Sequence, residues 1–283
     1  MLTDQDRQHF QSQFIQMNDD VRYHVLVAPP RDRASVLILH GFTGSHLSNL
    51  PLARALRKAG FGIILPDLLG HGLSDAPAEP ARYAMPHAAN DLLSICDAID
   101  PSEVHLVGYS MGGRLALYLA LHDAERWRSL VLESSTAGIE DDQQRAQRRA
   151  SDETLATNIE TKGIAWFVDY WDSLPLWSHQ TSEQREALRQ QRLNNHPRGL
   201  AHSLRGMGTG AQPPLWDQLA GVRCSSLLMA GEHDSKFVAL AQRLQAGIPS
   251  AQFRLIAQAG HAVHVEQSAI FQRQVLGFLA DCE

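Results

Sequence analysis

The run Gly108-Tyr109-Ser110-Met111-Gly112 decides how this chain is read. Its pattern, G-x-S-x-G, is that of a serine held on a sharp turn between a strand and a helix. At average glycine and serine usage the pattern arises by chance in roughly one chain in ten of this length, so the flanks must carry the argument. They fit. Val104 to Val107 reads as a buried strand and Arg114 to His122 as a helix. Gly108, Gly112 and Gly113 lack side chains where strand and helix have to close on the serine.

Further apolar, β-rich runs lie at Ser35 to Leu39, Gly62 to Leu65, Ser129 to Leu132, Ser226 to Met229 and Phe253 to Ile256. Most are almost continuously apolar, as strands of a parallel sheet covered on both faces must be. Helical patterns at Leu52 to Lys58, Ala88 to Ile99, Met111 to His122 and Ala239 to Ala246 alternate with them. The alternation predicts an α/β chain with a mostly parallel, doubly wound sheet. It breaks at about 136–216, where helix-like segments rich in Arg and Trp appear without an apolar β-run. The expectation is one domain over 1–283, with a core of 1–135 and 217–283 and a helical cap insertion at the carboxyl ends of the strands.

Composition narrows the function. A net charge of −6 with no Lys/Arg run leaves no electrostatic footprint for nucleic acid or an anionic membrane, so a small-molecule ligand is expected. Cys96, Cys224 and Cys282 are odd in number and widely spaced, which suggests neither a disulfide framework nor a zinc site. Asp4 and Asp6 stand where a signal peptide needs basic residues, and no stretch approaches membrane-spanning length. A cytoplasmic protein is expected; monomer and homo-oligomer stay equally open.

A serine hydroxyl is a weak nucleophile or base until an imidazole accepts its proton, and the imidazole needs a carboxylate to fix its tautomer. Asp234, just past Ser226 to Met229, and His261, just past Phe253 to Ile256, follow Ser110 in the order Ser, Asp, His. Their positions favour them over the rivals Glu232, Glu133 and His264. His40-Gly41-Phe42-Thr43-Gly44 follows the strand Ser35 to Leu39, so the amides of Phe42 and Met111 are expected to form an oxyanion hole. Asp67, in Asp67-Leu68-Leu69-Gly70-His71-Gly72, either stabilises its own loop or touches substrate. Together these features predict an α/β-hydrolase fold.

The chain resembles the 2-succinyl-6-hydroxy-2,4-cyclohexadiene-1-carboxylate synthase (MenH) family of menaquinone biosynthesis. The resemblance runs from Leu39-His40-Gly41-Phe42-Thr43-Gly44-Ser45 to Gly260-His261-Ala262-Val263-His264. It includes Gly108 to Arg114, Leu132-Glu133-Ser134, Gly206-Met207-Gly208-Thr209-Gly210 and Gly231 to Phe237. It implies a carbon–oxygen lyase that expels pyruvate from a cyclohexene substrate to leave a conjugated diene, with no cofactor or metal. Ser110, made basic by His261 and Asp234, would take the proton, and the Phe42 and Met111 amides would hold the developing charge. The polycarboxylate substrate calls for arginines, whose planar fork grips carboxylates. The resemblance points to Arg114, Arg148 and Arg192, with His40, Tyr109 and the pair Tyr170 and Trp171 as further pocket residues. Arg145, Arg149 and Arg205 are possible substitutes.

Two other functions compete on the residues alone: a carboxylesterase or carbon–carbon bond hydrolase with Ser110 as covalent nucleophile, and a non-catalytic binding protein. An esterase of small neutral acyl groups has no need of Arg114, Arg148 and Arg192 in the pocket. The second has no use for an aligned base.

Overall fold

Why six apolar runs become one sheet is visible in how each is buried. In the computed structural model, which describes residues 2–99 and 101–283, Val36 and Ile38 of β3 (Ser35–Leu39) join one core cluster while Leu37 and Leu39 join another on the opposite face. Both faces are covered, so the alternation that marks a half-exposed strand disappears. The sheet has eight strands in the order β1-β2-β4-β3-β5-β6-β7-β8. Here β1 is Gln11–Gln16, β2 Arg22–Ala28, β4 Gly62–Pro66 and β5 Val104–Tyr109. Strand β6 is Trp127–Glu133, β7 Ser225–Gly231 and β8 Ala251–Ile256. From β4 to β8 every pairing is parallel, and β1 and β2 add an antiparallel margin.

The β1–β2 hairpin is marked by none of the six apolar runs in the sequence. In β1 only Phe14 and Ile15 are large and apolar among Gln and Ser, because an edge strand faces water. The helices are α1 (Asp4–His9), α2 (His46–Lys58), α3 (Met85–Ile99), α4 (Met111–His122), α5 (Asp142–Asp172), α6 (Ser182–Leu193), α7 (Pro197–Met207), α8 (Ser235–Gly247), α9 (Val263–Glu266) and α10 (Ser268–Asp281). Helix α2 begins six residues before the expected Leu52: Ser45 closes a capping box, and Pro51 is carried inside the helix. Helix α4 is buried from Met111 to Ala120, directly behind the serine turn.

Helices α5, α6 and α7 occupy the stretch between β6 and β7 that shows no β-run in sequence. They share a core of their own, with Ala156, Ile159, Phe167 and Val168 of α5 against Leu200, Ala201 and Leu204 of α7. Among the described residues no helix is long and apolar enough to cross a membrane.

Candidate active site

Ser110 sits between β5 and α4 with φ +50° and ψ −108°, a backbone conformation that costs a non-glycine residue free energy and is held only because its surroundings enforce it. The turn closes because its neighbours are bare. A Cβ on Gly112 would lie 2.4 Å from the carbonyl oxygen of Leu39, and one on Gly41 would lie 2.6 Å from the Tyr109 ring.

Register brings the rest. Leu39 pairs with Gly108, Tyr109 with Glu133, and Gly231 with Ile256, so the loops carrying Phe42, Ser110, Asp234 and His261 all leave the same end of the sheet. The Nε2 of His261 lies 3.2 Å from Ser110 Oγ, and its Nδ1 lies 2.7 Å from Asp234 Oδ2. Because a carboxylate only accepts, Nδ1 carries the proton and Nε2 is free to receive one from the serine. Asp234 also caps α8 through the Phe237 amide at 3.4 Å, and the Phe237 ring stands edge-on to His261 at 4.5 Å. The imidazole is thus packed as well as hydrogen-bonded.

The amides of Phe42 and Met111 make none of the turn, loop or cap hydrogen bonds of the described residues, and both residues line the cavity at Ser110. Met111 opens α4, where the first N–H groups have no acceptor within the helix.

That cavity is about 260 Å³ in volume. Of the residues expected in it, Ser110, Asp234, His261, Phe42, Met111, Tyr109, Arg114, Arg148 and Trp171 line it. Arg114 is 7% exposed, and among the described residues its side chain bonds only a neutral partner, the Gln212 amide oxygen at 2.9 Å. Burial and the nearby Arg148 pull its pKa down to about 10, against a weaker pull upward from Asp152. Arg148 reaches Asp152 at 2.8 Å. Tyr109 is half-buried in the cavity wall, and desolvation followed by the Glu133 charge pushes its phenol far above the usual value.

Other expected residues lie elsewhere. His40 does not face the cavity: its Nδ1–H donates to the Gly41 carbonyl at 2.8 Å and its Nε2 accepts the Leu68 amide at 2.9 Å. The ring staples two loops, and burial lowers its pKa, which keeps it neutral. Arg192 opens instead on a smaller adjoining cavity, where it pairs with Asp172 and lies 5.0 Å from the Trp177 ring centroid. Tyr170 is 41% exposed and stacks on Trp166. Arg145 turns to the Ile139 and Glu140 carbonyls and to the Asp142 carboxylate, Arg149 to the Gly210 carbonyl, and Arg205 to Glu153 and Glu160.

Lys236, Leu155 and Trp177 line the cavity without having been singled out as site residues. Lys236 follows Asp234 by two positions, a signal available in the motif Gly231 to Phe237. The helical wall residues offered none, since their place depends on how α5 packs.

Asp67 is a loop organiser. It accepts from His24 Nδ1, His46 Nδ1 and the amides of His46 and Leu73, and lies outside the cavity. Burial opposes its ionisation, but the two imidazoles outweigh that and hold it far below the usual carboxylate range. The trio His24, His46 and Asp67 places its ligand-type atoms within 4.8 Å of one another. Each imidazole Nδ1 faces a carboxylate oxygen at 2.9 Å, the spacing of a hydrogen bond.

Sheet, serine turn and relay define a protein of the α/β-hydrolase fold, and the model of the alpha/beta hydrolase fold family matches residues 34–268. Three likenesses are more particular. A Bacillus subtilis (strain 168) protein provisionally named 2-succinyl-6-hydroxy-2,4-cyclohexadiene-1-carboxylate synthase is 41% identical over 94% of this chain and 97% of its own. The synthase of that name from Salmonella paratyphi C (strain RKS4594) is 32% identical over 83% and 89%. The structure of MenH from S. aureus superposes with a TM-score of 0.85 at 32% identity, covering 96% and 98%. The chain belongs to this synthase family within the α/β-hydrolase fold.

Proposed function

We propose that the protein eliminates pyruvate from 2-succinyl-5-enolpyruvyl-6-hydroxy-3-cyclohexene-1-carboxylate to give 2-succinyl-6-hydroxy-2,4-cyclohexadiene-1-carboxylate, with Ser110 as the base. The observation that carries the reading is a buried guanidinium, Arg114, without a carboxylate partner among the described residues, in the same cavity as the Ser110 hydroxyl. A buried cation without a counter-ion is costly, and a substrate carboxylate offsets that cost on binding. Arg148 and Lys236 line the same space and suit a ligand with several carboxylates.

In this reading His261 draws the proton from Ser110 Oγ as Ser110 takes one from the ring carbon. The electron pair released shifts toward the leaving enolpyruvyl oxygen, and the transient charge on the activating carboxylate rests on the Phe42 and Met111 amides. Asp234 holds His261 in the tautomer this needs. Helices α5 to α7 act as a cap whose aromatic residues, Trp171 and Trp177, wall the cavity. No membrane or nucleic acid takes part in this chemistry.

The test supplies the enolpyruvyl cyclohexene and follows pyruvate release together with diene absorbance, with a nitrophenyl ester as control. Stoichiometric pyruvate and diene, lost in Ser110→Ala, are expected. Turnover of the ester alone would replace this reading with that of a hydrolase.

A further inference from the structure

A second serine, at the far margin of the sheet, has the partners of a nucleophile. Ser12 Oγ lies 2.8 Å from Nε2 of His24, and Nδ1 of the same imidazole lies 2.9 Å from Asp67 Oδ2. His24 is 1% exposed and Asp67 fully buried, whereas Ser12 is exposed on β1. The backbone around this relay is locked. The His24 amide donates to Ser74 Oγ at 2.9 Å, and Ser74 in turn donates to the Asp67 carbonyl at 2.7 Å.

The proton positions follow from the acceptor. Asp67 stays ionised with four donors around it, so His24 Nδ1 must carry a hydrogen toward it. That leaves the Nε2 lone pair for the Ser12 hydroxyl, the arrangement His261 makes with Ser110. Two neighbours add to it. Phe14, two positions along the same face of β1, is 52% exposed, and its ring centroid lies 5.5 Å from that of His24, so an apolar platform flanks the hydroxyl. Strand β1 is the outermost of the sheet. In an antiparallel pair alternate residues turn both backbone groups outward, so β1 presents unpaired amides along the free edge near Ser12.

We propose that Ser12 is a second nucleophile, activated through His24 and Asp67, and a site of covalent acylation by small activated esters. In the step, Ser12 Oγ bonds to the ester carbonyl carbon while its proton passes to His24 Nε2. The carbon–oxygen bond to the aryl group then breaks, the electron pair leaves with the aryl oxide, and the imidazolium returns its proton to water. The product is an ester at Ser12.

The experiment uses the full-length Ser110→Ala protein, in which the main centre cannot acylate, with 4-nitrophenyl acetate and peptide mass mapping. Acetyl-Ser12 should form at least tenfold faster than acetyl-Ser151, an exposed serine of α5 that serves as internal reference in the same chain. The ratio should fall to about one in urea and at least tenfold in His24→Gln. Should His24→Gln fail to fold, the Ser12 to Ser151 ratio in the folded and urea-treated protein decides alone. In otherwise unaltered protein, Ser12→Ala should leave pyruvate elimination unchanged. Acetylation of Ser12 no faster than of Ser151, or undiminished in a folded His24→Gln, overturns the proposal.

Discussion

Glu133 Oε1 accepts two hydrogen bonds from His264, from the backbone N–H at 3.0 Å and from the ring Nδ1–H at 2.9 Å. Glu133 ends β6, where an acid could serve a catalytic histidine, but this pairing commits it to His264 and leaves His261 to Asp234 alone. The Tyr109 ring packs against both imidazoles, 5.5 Å from His261 and 4.4 Å from His264. Asp234→Asn should therefore lower kcat by a factor on the order of 10³ to 10⁴ while the protein stays folded. Glu133→Gln should change kcat less than about threefold and cost about 1 kcal/mol of stability. Equal losses of kcat in the two variants would mean that the acids share the task.

Arg114→Met keeps most of the side-chain volume and removes the charge. If Arg114 meets a substrate carboxylate, KM should rise about 10- to 100-fold, the loss of one charge-assisted hydrogen bond of roughly 1.5 to 3 kcal/mol. Turnover at saturation should fall much less. Arg192→Ala, whose guanidinium pairs with Asp172 beside a separate cavity, should change KM less than Arg114→Met does. The reverse order in steady-state kinetics would place the substrate in the smaller cavity.

His71 links pH to stability. Burial, then the neighbouring His40, brings its pKa down to about 3, and its Nε2 is buried without a hydrogen-bond partner among the described residues. The unfolded chain takes up this proton near the ordinary value of 6.5, whereas the folded protein does not until about 3. Stability therefore falls as pH drops through that window, by at most about 5 kcal/mol from this group. His71→Phe cannot take up the proton. Between pH 7 and 4.5, urea titration should show the variant losing roughly 2.5 kcal/mol less than the parent protein. Identical losses would remove His71 from the acid response.

Helix α5 bends at Gly163, where φ is +82° and ψ 176°. A Cβ placed there meets nothing within 4 Å, so any penalty is one of backbone conformation. Gly163→Ala should cost about 1 to 3 kcal/mol and lower Tm by several degrees. A rise in KM should accompany it, because Trp171, on the far side of the bend, walls the cavity. An unchanged Tm would show that the bend needs no glycine.

The Ser110, His261 and Asp234 relay was legible because each member sits at the end of an apolar run and in a fixed chain order. Ser110, Asp234 and His261 could be ranked above Glu232, Glu133 and His264 without coordinates. The edge hairpin was not legible, since Gln11–Gln16 has the polarity of a loop, and only its pairing with β2 makes it a strand. Among the residues of α5 to α7, Arg148 and Trp171 reach the cavity, while Arg192, Tyr170 and Arg205 turn elsewhere. Periodicity places a residue on a helix, but it does not say which neighbour that face will meet.

The amino-acid sequence by itself determined the sheet's parallel core, the serine turn and the order of the relay, because these follow from local patterns: buried strands, bare glycines and a carboxyl-end position. Tertiary structure alone decided which carboxylate His261 and His264 each receive, that Arg114 is buried beside a neutral amide with no carboxylate hydrogen bond among the described residues, and that His40 braces loops instead of touching the cavity. The physical reason is range. Strand and turn preferences act over a few neighbouring residues, whereas hydrogen-bond partners and burial depend on segments that meet only when the chain is packed.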